Sequence, residues 1–145
     1  MVDVILLLTL ALVVGAVGFA VHTRFVERSR VANAFDYLED IHFSQRLHFV
    51  QTGQYATQLA DLDLSIPSPA YFAVGKIKLS KVDGGFSGWE LQLNRVGAAP
   101  LFGSYAITFN GDGFDATQSS VAASILPHDA EHVRINRVST FAVLR

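Results

Sequence analysis

The sequence contains no cysteine and little charge. Among its 145 residues Cys is absent, and Asp, Glu, Lys and Arg together make up 17%. The absence of Cys excludes disulfides and thiol chemistry, and it leaves the redox compartment open. Low charge beside 50% hydrophobic residues indicates that part of the surface is apolar and meets a partner. The net charge of −2 argues against nucleic acid as the main partner, because phosphate binding requires a basic patch.

Charge is missing altogether from residues 4–21, VILLLTLALVVGAVGFAV, which we call the apolar run. As a helix it would be about 27 Å long, close to the apolar thickness of a bilayer, so it predicts a membrane anchor. A cleaved signal peptide is the alternative, but no basic segment precedes the run, and the run exceeds the usual apolar core of a signal. By the positive-inside rule, the arginines that follow would keep the next domain cytoplasmic, with only Glu27 opposing Arg24, Arg28 and Arg30.

No proline interrupts residues 1–52, which predict one continuous helix. Gly53 is suited to the left-handed conformation that follows a helix end. Gly15 and Gly18 are the weak points of this helix, and we expect it to bend or unwind locally there.

Residues 24–52 carry two apolar stripes when each residue is turned by 100°. The first stripe consists of Val31, Ala34, Phe35, Leu38, Ile41 and Phe49. The second stripe lies roughly opposite and consists of Phe25, Ala32, Phe43, Leu47 and Val50. A helix on a single core needs one stripe, so two stripes predict one face for the chain's own domain and one for neighbouring subunits. A helix buried within a larger core is the alternative.

The rest of the chain predicts a connector, residues 53–71, and then a sheet. One helical turn is expected in 58–64, and apolar side chains pin the connector to the core: Tyr55, Leu59, Leu62, Leu64 and Ile66. Alternating patterns predict strands at 72–82, 89–96, 104–109 and 133–144, with 116–125 either strand or loop. Turn sequences at 83–85 and 110–113 make neighbouring strands antiparallel. The fold class is α+β: a long N-terminal α-helix (about 1–52) packed on a small antiparallel sheet of about four strands.

This layout resembles a mature type IV pilin or a pseudopilin of type II secretion. The resemblance covers the whole chain as architecture. It also extends to local stretches that are similar to the family's segment after the helix and to its later strands: Gly53-Gln54-Tyr55-Ala56, Gly88-Trp89-Glu90-Leu91 and Ser104-Tyr105-Ala106-Ile107-Thr108.

The resemblance implies a structural subunit that polymerises through its N-terminal helix into a pilus-like or pseudopilus filament of identical subunits. A prepilin peptidase would remove a short basic leader, whose charge would orient the helix and so resolve the conflict with the arginines, and the exposed amine of Met1 would be methylated. The subunit would lie in the cytoplasmic membrane, and the assembly machinery would move it into an extracellular filament or a periplasmic pseudopilus. The implied divisions are residues 1–23 for the anchor and filament core, 24–52 for the amphipathic helix, 53–71 for the connector and 72–145 for the sheet domain.

The family usually begins with Phe and has Glu as its fifth residue, which pairs with a neighbour's N-terminal amine. This chain has Met1 and Ile5, and Asp3 is the acid expected to take that role. Gly15 and Gly18 permit close helix approach. The family often has Pro where this chain has His22, and many members carry a Cys pair that is absent here. The expected assembly residues are thus Met1, Asp3, Ile5, Gly15 and Gly18.

The remaining polar clusters give weak site candidates. Asn110, Asp112 and Asp115 offer oxygen ligands of the kind calcium prefers, and some pseudopilins bind calcium near here; a plain hairpin turn is the alternative. His128 and His132 are spaced to share a zinc ion on a helix, but a solvated loop is favoured. With no nucleophile motif or phosphate-binding loop, we expect no enzyme activity, no catalytic residues and no cofactor. Two other functions remain open: a single-pass, membrane-anchored component of an assembly platform that binds a partner, and an anchored enzyme that uses the two histidines.

Overall fold

The computed structural model describes residues 2–81, 87–128 and 130. One long N-terminal helix, α1 (Val2–Thr52), packs against a small antiparallel sheet, so the predicted α+β fold is confirmed. The sheet has five strands where the sequence predicted about four. These are β1 (Phe72–Val74), β2 (Lys78–Lys81), β3 (Ser87–Arg95), β4 (Ala106–Asn110) and β5 (Gly113–Phe114).

Helix α1 runs unbroken for 51 residues and ends where the sequence predicts. Gly53 adopts a φ of +77°, and its N–H donates to the carbonyl of Phe49 at 2.8 Å, which closes the last turn. The local unwinding expected at Gly15 and Gly18 does not occur, because both residues lie within the continuous helix.

Strand β3 is the centre of the sheet: β1 and β2 both pair with one of its edges, and β4 pairs with the other. The single strand predicted over 72–82 is therefore wrong in one respect, because it divides into β1 and β2. The interruption begins at Gly75, whose N–H donates to the carbonyl oxygen of Gln92 at 2.9 Å. A Cβ at Gly75 would lie 2.7 Å from that oxygen, so only glycine permits the close approach.

The core lies between α1 and the sheet. From α1 it takes most of the first stripe, and from the sheet it takes the inward residues of β3 and β4, including Trp89, Leu91, Leu93, Ile107 and Phe109. The ring of Phe35 contacts the rings of Phe109 and Phe114, with centroids 5.4 Å and 5.1 Å away. The alternation predicted for β3 is confirmed, since Glu90, Gln92 and Asn94 lie outside the core. In the stretch 72–82 the sequence alternates Ile77 and Leu79 with polar residues, which predicts both on the inner face, but Ile77 is buried and Leu79 is exposed.

The connector is held by polar contacts that the sequence did not predict. The buried side chain of Gln45 both donates to and accepts from the backbone of Ala56, each at 3.0 Å. Asp40 accepts the N–H of Ile66 at 2.9 Å. The expected helical turn is a short 3-10 helix, Leu59–Asp61. The apolar pins are confirmed for the residues before 65, whereas the side chain of Ile66 is exposed.

Strand β3 runs back along α1 toward the N-terminal end of the helix. At its start, the ring of Trp89 lies 6.0 Å from the ring of His42. At its end, Arg95 Nε lies 2.6 Å from Glu27 Oε1. These two helix positions are separated by roughly 22 Å along the axis. The connection from β3 to β4 therefore lies at the end of the sheet nearest the apolar run.

Two of the sequence predictions fall outside the described residues, namely the strand over 133–144 and the turn at 83–85. The segment 116–125, expected as strand or loop, is irregular and ends in a short 3-10 helix, Ala123–Ile125.

Candidate assembly surface

The apolar run is fully exposed on α1, as is every residue from 3 to 22. Within the described part of the chain, α1 is the one helix long and apolar enough to cross a membrane. Thr9 has the only hydroxyl in the run, and it donates to the carbonyls of Ile5 at 3.0 Å and Leu6 at 2.8 Å. This internal hydrogen bonding removes the need for water. The run is therefore compatible with a transmembrane anchor.

Four of the five predicted assembly residues lie on this exposed segment, and Met1 is outside the described residues. Asp3 lies in the first turn of α1, about 160° around the helix from Ile5. An acid at position 3 therefore points to a different side of the helix than an acid at position 5. A Cβ at Gly15 or Gly18 would meet nothing within 4 Å, so both glycines leave open surface for a neighbouring helix.

Four of the five residues of the second stripe are exposed beyond the apolar run, and Ala32 is half-buried. Phe25 is 74% exposed, Phe43 67% and Val50 81%, and Leu47 is also exposed. The first stripe is buried apart from Phe49, which is half-buried and stacks on Tyr55 with ring centroids 4.7 Å apart. The structure thus confirms that α1 buries one apolar stripe in its own domain, whereas the contact of the other stripe with neighbouring subunits stays a prediction. The alternative, a helix buried within a larger core, is wrong because Phe43, Leu47 and Val50 are exposed.

A buried ion pair that the sequence analysis missed joins α1 to the sheet. Glu27 is 1% exposed, and both its carboxylate oxygens accept hydrogen bonds from Arg95, from Nε to Oε1 at 2.6 Å and from Nη2 to Oε2 at 3.3 Å. The hydroxyl of Tyr105 donates to Oε1 at 2.7 Å, and Arg30 Nη1 donates to Oε2 at 3.0 Å. One carboxylate thus receives donors from two residues of the sheet domain and from its own helix.

The two arginines of this cluster have further partners, which are backbone carbonyls for Arg95 and an aromatic ring for Arg30. The guanidinium of Arg95 also donates to the carbonyls of Tyr71 and Ala98, each at 3.3 Å, and to that of Val96. The guanidinium carbon of Arg30 lies 4.1 Å from the ring centroid of Tyr71, a cation–π contact. The cluster therefore holds the ends of β1, β3 and β4 against one turn of α1.

The pKa values of the cluster follow from burial and hydrogen bonding. Burial raises the pKa of Glu27, but the hydrogen bonds from Arg95, Tyr105 and Arg30 outweigh it and leave that pKa below its ordinary value. The hydrogen bond to Glu27 raises the pKa of Arg95, and burial followed by the same partner raises that of Tyr105. At neutral pH, Glu27 is therefore ionised, Arg95 is charged and Tyr105 keeps its proton, which are the protonation states that these hydrogen bonds require.

We expect the Glu27 cluster to make the free energy of unfolding decrease in acid. Because the folded pKa of Glu27 is depressed, its contribution is fully present above its unfolded pKa, about 4.3, and is lost as the pH falls through the lower folded value. Urea unfolding of the full chain in detergent at a series of pH values measures this. The control is the double variant Glu27→Leu, Arg95→Met, which should lose less stability below about pH 4.3. Equal losses in both proteins would contradict the prediction.

The candidate calcium ligands lie in the β4–β5 turn and just after β5, where hydrogen-bond donors already occupy the side-chain oxygens of Asn110 and Asp115. Asp115 Oδ1 accepts from the N–H of Thr117 at 2.9 Å and from its hydroxyl at 2.6 Å, and Oδ2 accepts from Asn110 Nδ2 at 3.1 Å. Asn110 Oδ1 accepts the N–H of Asp112 at 2.9 Å. These contacts favour the plain hairpin turn, because the carboxylate and amide stabilise the turn's own backbone.

Of the two histidines proposed to share a zinc ion, His128 is exposed and His132 lies outside the described residues. Over residues 2–81, 87–128 and 130, no group of three or more His, Asp or Glu side chains could hold a metal ion.

The sequence did contain a signal for Glu27: on a 100° wheel it falls at the centre of the first stripe, near Val31 and Leu38. An acid on a buried stripe requires a buried cation as its partner.

No family model, curated protein or solved structure matches the chain. The layout of the chain and the exposed apolar surface of α1 are the features that bear on its function.

Proposed function

We propose that this chain is a structural, non-enzymatic subunit that polymerises through α1 into a type IV pilus-like or pseudopilus filament. One observation carries the proposal: α1 exposes a fully apolar run and, beyond it, most of the second stripe, while its opposite face is buried in the chain's own domain. A lone membrane anchor needs the run but has no use for a water-exposed stripe. A helix surrounded by copies of itself uses both.

The second stripe supplies a driving force that the apolar run cannot. In a bilayer the run is already out of water, so moving it from lipid to a helix bundle gains packing but little hydrophobic energy. Phe43, Leu47 and Val50 are instead exposed beyond the run. Burying each such side chain against a neighbour would contribute about 1.5–3 kcal/mol. Assembly would therefore depend more strongly on the second stripe than on the longer run.

The arrangement favours an open fibre. The sheet covers one face of the C-terminal half of α1, so neighbouring helices can pack only on the other face and around the apolar run. Repeated contacts of this kind that do not close into a ring produce a helical polymer with the sheets outside. Gly15 and Gly18 would let neighbouring helices approach closely in the filament core.

The proposed location is the cytoplasmic membrane before assembly, followed by a filament at the cell surface or a periplasmic pseudopilus. A basic leader removed by a prepilin peptidase would place the N-terminus of α1 at the cytoplasm, in accord with the charge rule for membrane helices. Mass spectrometry of the protein purified from cells tests this step. We expect a methylated N-terminal residue, and a gene that encodes a basic leader before it.

Electron microscopy of material sheared from cells tests the function itself. We expect thin fibres in which this chain is the repeating subunit, identified by labelling. If the intact protein is instead a detergent-bound monomer, and the cells carry no fibre of this composition, the proposal fails. The alternative, a membrane-anchored component that binds a partner, would then account for the exposed stripe.

We expect the variant Asp3→Ala to reduce filament yield without unfolding the sheet domain. Asp3 is the only acid at the start of the apolar run, and a charge in a helical core requires a partner, for which a neighbour's N-terminal amine is available. Quantifying sheared filaments beside Trp89 fluorescence of the purified chain measures both effects. The matched control is Asp63→Ala, an exposed acid far along the chain. Normal filament yield from Asp3→Ala would remove Asp3 from the assembly surface.

A further inference from the structure

An uncharged loop lies at the end of the sheet nearest the apolar run. This proximal loop comprises residues 96–104, VGAAPLFGS, which connect β3 to β4. Leu101 is 66% exposed and Val96 is 42% exposed, and Pro100 is exposed between them. The loop therefore packs Ala99 and Phe102 on the core and leaves the apolar side chains of Val96 and Leu101 exposed.

The tip of the proximal loop is held in a strained conformation. Leu101 has a φ of +73°, in the left-handed region that bulky residues rarely adopt. Below the tip, the N–H groups of Phe102 and Gly103 both donate to the carbonyl of Ala99, at 3.1 Å and 3.0 Å. Arg95 holds the start of the loop through its carbonyl contacts. The backbone thus holds Leu101 exposed in a strained conformation. Its side chain is not buried within the chain, so burial does not offset the cost of the strain.

The position of the loop relative to a membrane follows from the helix. Glu27, which binds the residue just before the loop, lies six positions after the end of the apolar run, or about 9 Å along the axis. The headgroup layer on each side of a bilayer is roughly 5–8 Å thick. Since β3 points toward the apolar run, the loop lies at the end of the sheet that faces the bilayer when the run is inserted.

The part of the chain around the loop carries exposed basic residues and a tyrosine of the kind found at membrane interfaces. Arg24 and Arg28 are exposed on α1 between the apolar run and the contact with the sheet, and Glu27 is fully engaged inside the cluster. Tyr71, an aromatic residue of the kind enriched at membrane interfaces, is half exposed beside Arg30. Basic residues close to an apolar surface are attracted to anionic lipid headgroups.

We propose that the proximal loop docks on the anionic headgroup surface of the membrane that holds α1, before the subunit assembles. The sheet domain would then contact the bilayer through Leu101 and Val96 as well as through its helix, with Arg24 and Arg28 on lipid phosphates. This contact would fix the tilt of the domain above the membrane. The proposal rests on insertion of the apolar run, which is part of the proposed function, but it does not require polymerisation.

Site-specific fluorescence in vesicles tests the proposal on the full chain. The sequence has no Cys, so Leu101→Cys carries a single environment-sensitive label. Phosphatidylcholine vesicles containing phosphatidylglycerol should shift its emission to the blue, and lipids spin-labelled at the headgroup should quench it. The matched control is Asp112→Cys, exposed in the β4–β5 turn at the far end of the sheet, where we expect neither effect. Equal quenching at the two positions would overturn the proposal.

A third label separates this proposal from membrane insertion. Val13→Cys lies in the middle of the apolar run and should be quenched by lipids spin-labelled deep in the acyl chain. If Val13 is quenched and Leu101 is not, the anchor stands and the docking loop fails; if neither is quenched, both fail. The variant Arg24→Gln, Arg28→Gln should weaken quenching at Leu101 in anionic vesicles and leave quenching at Val13 unchanged. Quenching at Leu101 that is the same in vesicles of phosphatidylcholine alone would overturn the anionic part of the proposal.

Discussion

Replacing Arg95 by methionine is expected to lower the free energy of unfolding by about 3–5 kcal/mol. The substitution removes two charge-assisted hydrogen bonds from Glu27, which is almost inaccessible to water, and leaves its carboxylate with Tyr105 and Arg30 alone. It also releases the carbonyls at the start of the proximal loop. Urea unfolding of the full chain in detergent measures the loss. The single tryptophan, Trp89, is buried in the core and reports on the transition.

The double variant Glu27→Leu, Arg95→Met is the control for that experiment. It replaces the buried pair by apolar groups of similar size, a change that is often neutral in other buried pairs. We expect it to recover most of the stability lost in the single variant. A single variant as stable as the original protein would show that the pair contributes little, and that the sheet is held on α1 by apolar packing alone.

Truncating one side chain on each face of α1 is expected to separate folding from assembly. Leu38→Ala removes a fully buried side chain of the first stripe and should cost about 2–5 kcal/mol of stability. Phe43→Ala removes an exposed side chain of the second stripe and should change stability by no more than about 0.5 kcal/mol. In the proposed filament, losing the burial of Phe43, about 1.5–3 kcal/mol, would raise the critical concentration for assembly about ten- to a hundred-fold.

Urea unfolding measures the first effect, and sedimentation of polymer from a concentration series measures the second. Each variant is the control for the other, since both shorten an apolar side chain on the same helix. A Phe43→Ala protein that polymerises normally would contradict the role given to the second stripe. A Phe43→Ala protein that unfolds easily would show instead that this face is packed within the subunit.

Periodicity in the sequence predicted the two faces of α1 because a helix repeats its apolar positions in a regular way. It also predicted the inward residues of β3, where strict alternation leaves little choice. It was wrong for Leu79, which is exposed. The alternation that places Leu79 on the inner face continues across Gly75, where the chain leaves β1, and local spacing carries no information about that break.

The chain by itself determined a long uninterrupted helix with an apolar start, a glycine stop at its end and an antiparallel sheet after it, because these features depend on neighbours a few residues apart. Only the tertiary structure decided which stripe of α1 is covered, that Glu27 is buried, and that the proximal loop lies at the end of the sheet nearest the apolar run. Glu27 and Arg95 are 68 residues apart in the sequence. Their pairing exists because β3 runs back along α1, and no local pattern encodes that direction.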